Sequence, residues 1–198
     1  MNISRNEKIL IALFGLLILA AIIKFAGFFQ KSATAQDATN FVLDDLTAKY
    51  PNSEIEIMNI ANKTNSAGSS YFEVKARVTS MQNTPCPERV HIFYNYPIQY
   101  FVPQTPEVIT KDCRVCTDGL CNIAFKEEAI IASHTLNGTT EVQNYLMQNT
   151  NSRSIVRESN ESWAVDWLSN QSDYGYEVVI HRAGTILNVV RIPSTQVN

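Results

Sequence analysis

The chain has 198 residues, 16 basic and 19 acidic, giving a net charge of −3 at neutral pH. Apolar residues make up 45% and aromatic residues 10%, enough to bury a core and too much for a disordered tail. No basic run or basic-aromatic stripe occurs, so nucleic acid is excluded as an expected partner.

Residues 9–29, ILIALFGLLILAAIIKFAGFF, are apolar except for Lys24. At about 1.5 Å per residue such a run spans a hydrocarbon layer of roughly 30 Å. Lys24 stands near one end, where its side chain can reach the interface. The stub of residues 1–8 carries Arg5 and Lys8 against Glu7. The positive-inside rule then keeps the N-terminus cytoplasmic and exports the chain beyond Phe29, as a single-pass cell-membrane protein. A cleaved signal peptide is the rival reading, because Ala33-Thr34-Ala35 fits a small-x-small cleavage site. Either way residues 36–198 are exported. One acidic and four basic residues precede residue 36, leaving 18 acidic against 12 basic. Asn-x-Ser/Thr triplets stand at Asn62, Asn137, Asn160 and Asn170. In an exported domain they are glycosylation candidates, with unmodified loop asparagines as the alternative.

Residues 30–37 read as a tether, followed by an exported α+β domain over 38–198. A helix is predicted over 38–50, with Phe41, Val42, Leu46 and Tyr50 on one stripe, Asp37 as N-cap and Pro51-Asn52 as the stop. EIEIMNI (54–60) alternates as a half-buried strand, and the polar residues 62–70 read as a loop. In YFEVKARVTS (71–80), Phe72, Val74, Ala76 and Val78 face in while Glu73, Lys75 and Arg77 face out. RVHIFYNY (89–96) is a further strand. The same order returns downstream. TTEVQNYLMQN opens with Thr140 and Gln143 in capping-box spacing before a short helix. Strands come next at 154–159, 162–169, 176–181 and 186–192, with Trp163, Val165 and Trp167 on one face. Arg182-Ala183-Gly184-Thr185 makes a tight hairpin between the last two, with glycine supplying the positive φ. Two helix-plus-antiparallel-meander units result, about 38–104 and 136–193, with a cysteine segment between them.

That segment, CRVCTDGLC (113–121), holds three of the four cysteines, and Cys86 is the fourth. Asp118-Gly119 is a hairpin signal that sets Cys116 opposite Cys121, within reach of a disulfide. Cys86 is then left for Cys113. Export favours this oxidised reading of a stapled hairpin. Two alternatives stay open. A four-cysteine zinc site would normally bring a second closely spaced pair, and a thioredoxin-type dithiol would open a helix rather than a turn.

The passage FVLDDLTAKYPNSEIEI and the hairpin YEVVIHRAGTILNVVRI resemble the PepSY and cystatin-like families, in which one helix packs across a curved antiparallel meander. The resemblance covers about 110 residues and implies an accessory binding role without a catalytic motif. The middle segment, CPERVHIFYNYP…ITKDCRVC…EEAIIASHT, is similar to small membrane-anchored proteins of archaea, which implies a location and no activity.

His91 and His181 lie in predicted strands, where a satisfied imidazole is the ordinary outcome. His134 is the more interesting, with Glu127, Glu128 and Ser133 near in sequence, but triad members meet in space rather than in sequence. No hydrolase, zincin, phosphate-loop or dinucleotide motif is present. No catalytic residue, metal ligand or cofactor is therefore expected, and an exported hydrolase or metal-dependent enzyme is the alternative. The aromatic run HIFYNYPIQYFVP (91–103) is the binding candidate, through Tyr94, Tyr96, Tyr100 and Phe101. Pro97 and Pro103 make one long sheet strand unfavourable, so some rings should lie on a loop or edge. The competing expectation is that they cap the sheet's own core. The whole reads as an anchored extracytoplasmic binding module for an envelope protein or glycan.

Overall fold

The structure, a computed structural model, describes residues 14–20, 33–97, 104–116 and 121–194. Residues 14–20 are helical and exposed (α1). No helix among the described residues is long and apolar enough to cross a membrane. Most of the run 9–29, and with it the expected anchor and the stub 1–8, lies outside them. The chain divides into compact units at Thr34 and Ala35, and both sheets belong to the second unit.

Helix α2 (Ala35–Lys49) buries Ala38, Val42 and Leu46, one residue per turn along a single stripe. It begins three residues earlier than predicted. Asp37 therefore lies in the first turn rather than at the cap, where its charge still suits the helix dipole. Asn52, at φ 73, reverses the chain into β1. Strands β1 (Glu54–Thr64), β2 (Ser70–Ser80), β3 (Glu88–Tyr96) and β4 (Glu107–Thr110) form an antiparallel sheet in that order. β1 runs further than the alternation suggested, and the predicted loop shrinks to residues 65–69. The Asn65 side chain closes that turn by accepting from the backbone N–H groups of Ala67 (3.0 Å) and Ser69 (2.9 Å). α2 packs against the face that carries Val74, Ala76, Val78 and Tyr94.

Glu73, Lys75 and Arg77 do point to the other face, but each is half-buried rather than free in solvent. Each pairs with a residue of another strand: Glu73 with Lys63, Lys75 with Glu107, and Arg77 with Glu54 and Glu56. Further along that face, a helix absent from the predicted elements, α3 (Lys126–Thr135), brings Glu127 to Thr79 and Arg89. Seven of its ten residues are buried, so it has no amphipathic stripe to read. Next in the chain is α4 (Thr140–Gln148), with Thr139 at the N-cap. The Thr140–Gln143 capping box does not form: the Thr139 hydroxyl turns back to donate to the Leu136 carbonyl.

The second antiparallel sheet runs β5 (Arg153–Glu158), β6 (Ser162–Leu168), β7 (Tyr174–His181) and β8 (Ile186–Pro193), in that order. Trp163, Val165 and Trp167 share its inner face, all buried, as their spacing predicts. They pack with Tyr145 of α4, Ala129, Ile130 and Ala132 of α3, and Tyr176, Val178 and Ile180 of β7. Each indole nitrogen has a partner: Trp163 donates to the Ile123 carbonyl and Trp167 to Ser133 Oγ. The β7–β8 hairpin turns at Gly184 with φ 79, as predicted. A side chain there would also collide with Cys121, a second reason for glycine that only packing reveals.

Candidate functional site

Two features gather chemistry-bearing groups: a disulfide beside a buried histidine, and a polar cleft at the far end of the first sheet. The cysteines are joined Cys86 to Cys113 and Cys116 to Cys121, with Cα separations of 4.8 and 4.6 Å. Residues 117–120, with the Asp118-Gly119 turn, lie outside the described residues, and the flanking segments 115–116 and 121–124 are not strands. Ile123 instead donates its N–H to the Arg182 carbonyl, and the disulfide lies against the β7–β8 turn. A tight turn stands upstream, at residues 111–114. Lys111 and Arg114 bridge across Asp112 and Cys113, both at φ 55, the left-handed pair of a type I′ turn.

That turn delivers Cys113 to the last helical turn of α3. His134 Nε2 lies 3.8 Å from Cys113 Sγ, and its Nδ1 lies 2.9 Å from the Ile131 carbonyl. A carbonyl can only accept, so Nδ1 carries the proton and Nε2 presents a lone pair to the sulfur. The ring is 7% exposed and lies 5.8 Å from the Trp167 ring. Burial pushes its pKa down to about 4, so the imidazole is neutral at physiological pH. Donor atoms of Cys86, Cys113 and His134 all lie within 4.8 Å of one another. The neighbours His134 has in sequence go elsewhere. Ser133 serves Trp167, Glu127 pairs with Arg89, and Glu128 accepts from the N–H groups of Ala124 and Phe125.

Beside this cluster runs a chain of buried polar contacts. Arg89 donates to Glu127 (2.9 Å) and, through Nε, to His91 Nε2 (3.0 Å), while its guanidinium stacks on Phe125. His91 Nδ1 then donates to Glu107 (3.0 Å), which also pairs with Lys75. Burial holds the His91 pKa below its ordinary value, and the hydrogen bond from His91 holds Glu107 below the usual carboxylate range. This arrangement ties α3 to the first sheet and leaves His91 satisfied. His181 is satisfied too, accepting from the Ala183 N–H.

The aromatic run divides. Tyr94 is buried in the first core, its hydroxyl donating to Asp45, and Tyr96 packs partly buried with its ring 5.4 Å from Phe41. Tyr100 and Phe101 fall in 98–103, outside the described residues. Where the run leaves the sheet, a cleft of about 380 Å³ opens, lined by Asn65, Ser66, Ser70, Tyr71, Asn95 and Pro97 among others. Asn95 Oδ1 is buried there without a hydrogen-bond partner. Periodicity could not have found it, since it marks Asn95 only as a residue beside Tyr94. Asn62, Asn137, Asn160 and Asn170 are all exposed, Asn62 within β1 and the others in turns.

Fold and site together define an α+β protein of two antiparallel sheets with packed helices and two disulfides. No protein family and no curated protein matches the chain. Among solved structures, a candidate lipoprotein from Clostridium difficile 630 is similar over 79% of this chain and 91% of its own. The identity is 12% and the TM-score 0.20, a level that carries no argument.

Proposed function

We propose that this chain is an extracytoplasmic binding module of the cell envelope, without catalytic activity, anchored through residues 9–29 with its N-terminus in the cytoplasm. The apolar run, its basic stub, the two disulfides and the exposed glycosylation triplets support that location. PepSY-like or cystatin-like modules are the proposed kinship, on the order of helix and meander alone. The binding face is the cleft at the β1–β2 turn, and the observation that carries it is a lining without charged side chains where the aromatic run leaves the sheet. The lining is amide, hydroxyl and one phenol ring with Ala67 and Pro97 between them, and no charged side chain. That chemistry suits a neutral, hydroxyl-rich partner, a glycan before an acidic or basic protein. Tyr100 and Phe101 come shortly after Pro97 in the chain and are proposed to extend the same face.

The test is a panel of envelope glycans read by calorimetry against the wild-type protein and Asn95→Ala. The variant loses no internal hydrogen bond from Oδ1, so its stability should stay within about 1 kcal/mol, while binding weakens by about 0.5–1.5 kcal/mol. Tyr100→Ala/Phe101→Ala should behave in the same way, with a larger binding loss of about 2 kcal/mol. Unchanged binding in both variants, or a thermal melt showing that they unfold, would overturn this reading.

A further inference from the structure

We propose that reduction of the Cys86–Cys113 disulfide turns the cluster with His134 into a three-donor site for zinc or a similarly thiophilic divalent cation. The inference rests on the arrangement of three groups from three separate elements. Cys86 precedes β3, Cys113 is held at φ 55 in the turn after β4, and His134 closes α3. Their donor atoms already lie within 4.8 Å of one another. With zinc–sulfur and zinc–nitrogen bonds of about 2.3 and 2.0–2.1 Å, a tetrahedral site separates sulfur from nitrogen by about 3.5 Å and two sulfurs by about 3.8 Å. Cys113 Sγ and His134 Nε2 stand 3.8 Å apart, so the histidine arm needs little movement. The sulfurs must part, which breaking the covalent bond allows.

The histidine is prepared for this role in a second way. Metal-bound imidazoles commonly donate their other N–H to a carbonyl or carboxylate, which fixes the tautomer and aims the lone pair. His134 does this already: Nδ1–H is committed to the Ile131 carbonyl, and Nε2 faces the cysteine sulfur. Three protein donors leave one coordination position, and the half-buried Cys86 and Cys113 give it access to solvent. The steps balance. A dithiol reductant delivers two electrons and two protons to the disulfide and becomes a disulfide itself. The two resulting thiols then lose their protons as the cation binds. In the oxidised protein the same sulfurs are bonded to each other and the site is closed. The cluster thus couples cation binding to the loss of oxidising conditions.

The experiment uses the full-length chain in detergent, carrying Cys116→Ser/Cys121→Ser so that a single disulfide remains, with cobalt(II) as the probe. After reduction with a phosphine, the protein should take up one cobalt per chain. A sulfur-to-cobalt charge-transfer band and tetrahedral ligand-field bands should appear, and the oxidised protein should show neither. His134→Gln should weaken binding by more than about 100-fold, since losing even an outer partner of a metal-bound histidine costs about 10–100-fold. Absence of the bands after reduction, or equal affinity in the folded His134→Gln protein, overturns the proposal. Should either variant fail to fold, reduced wild-type protein loaded with cadmium-113 decides instead. Coupling between the metal and His134 Nε2 is expected by nitrogen-15 NMR, and a histidine signal without it refutes the site.

Discussion

The two halves of the unit Ala35–Asn198 share one topology and fill it differently. In the first, a single helix lays Ala38, Val42 and Leu46 on Val74, Ala76 and Val78, and Tyr94 is the buried ring of that core among the described residues. In the second, two helices close over Trp163, Trp167, Tyr145 and Tyr176. Aromatic side chains each bury a large area, so the second half holds the greater share of apolar stabilisation. The first half has the unpartnered acceptor, the polar cleft and the edge from which the aromatic run departs. Apolar stabilisation concentrates in one half and the proposed binding face lies in the other, the division expected when a rigid scaffold carries an adaptable face. The halves are not independent, because α3 packs on the second sheet while Glu127 pairs with Arg89 of the first.

The sharpest way to break this comparison is Trp167→Ala. Removing a fully buried indole and its hydrogen bond to Ser133 Oγ should cost about 3–5 kcal/mol, read in a denaturant melt. Hydrogen exchange on the same variant shows whether β2 and β3 open together with β6, as a shared unit requires. Glu127→Leu attacks the tie itself. It leaves Arg89, whose side chain is 5% exposed, without its carboxylate, and a loss of about 3–5 kcal/mol is expected. Arg89→Met added to it should recover most of that loss, because the penalty is an orphaned charge rather than a missing bond.

Opening the disulfides separately ranks the staples. The chain-entropy account gives about 3–4 kcal/mol for the 27-residue Cys86–Cys113 separation and about 2 kcal/mol for the 5-residue Cys116–Cys121 separation. Equal losses would mean that packing against Gly184, rather than loop closure, sets the value of the shorter link.

Acid gives a comparable test without changing the covalent frame. His134 titrates near 6.5 in the unfolded chain and about 4 in the folded one. Above pH 6.5 both states are neutral and the group has no effect. As pH falls from 6.5 towards 4 the unfolded chain takes up the proton first, so stability is lost over that window, on the order of 3 kcal/mol in full. His91 acts in the same direction, its pKa also held down by burial. His134→Gln should flatten the profile between pH 6.5 and 4. A profile as steep as wild type would show that the imidazole is not desolvated. The smallest effect belongs to Asn95→Ala, whose stability should scarcely move.

Where local pattern and burial agreed, the elements were legible in the amino-acid order. β2 and β6 alternate because one face of each meets a core, and Gly184 was readable because the turn needs a positive φ. The α2 stripe was readable for the same reason, to within three residues at its start. α3 was not, and the cause is physical. A helix covered on most sides carries no periodic contrast between apolar and polar positions, and EEAIIASHT therefore looks featureless. The extension of β1 to Thr64 was hidden as well, since an exposed edge strand tolerates polar residues at every position.

The sequence by itself determined the repeated helix-and-meander order, the inward faces of the central strands and the tight β7–β8 turn, because each arises from interactions between residues close in the chain. Only the tertiary structure decided that His134 meets Cys113, that Glu127 answers Arg89, and that Asn95 is left without a partner for Oδ1. Those facts depend on how separate elements dock, and docking is chosen by the packing of whole surfaces, which no local spacing encodes.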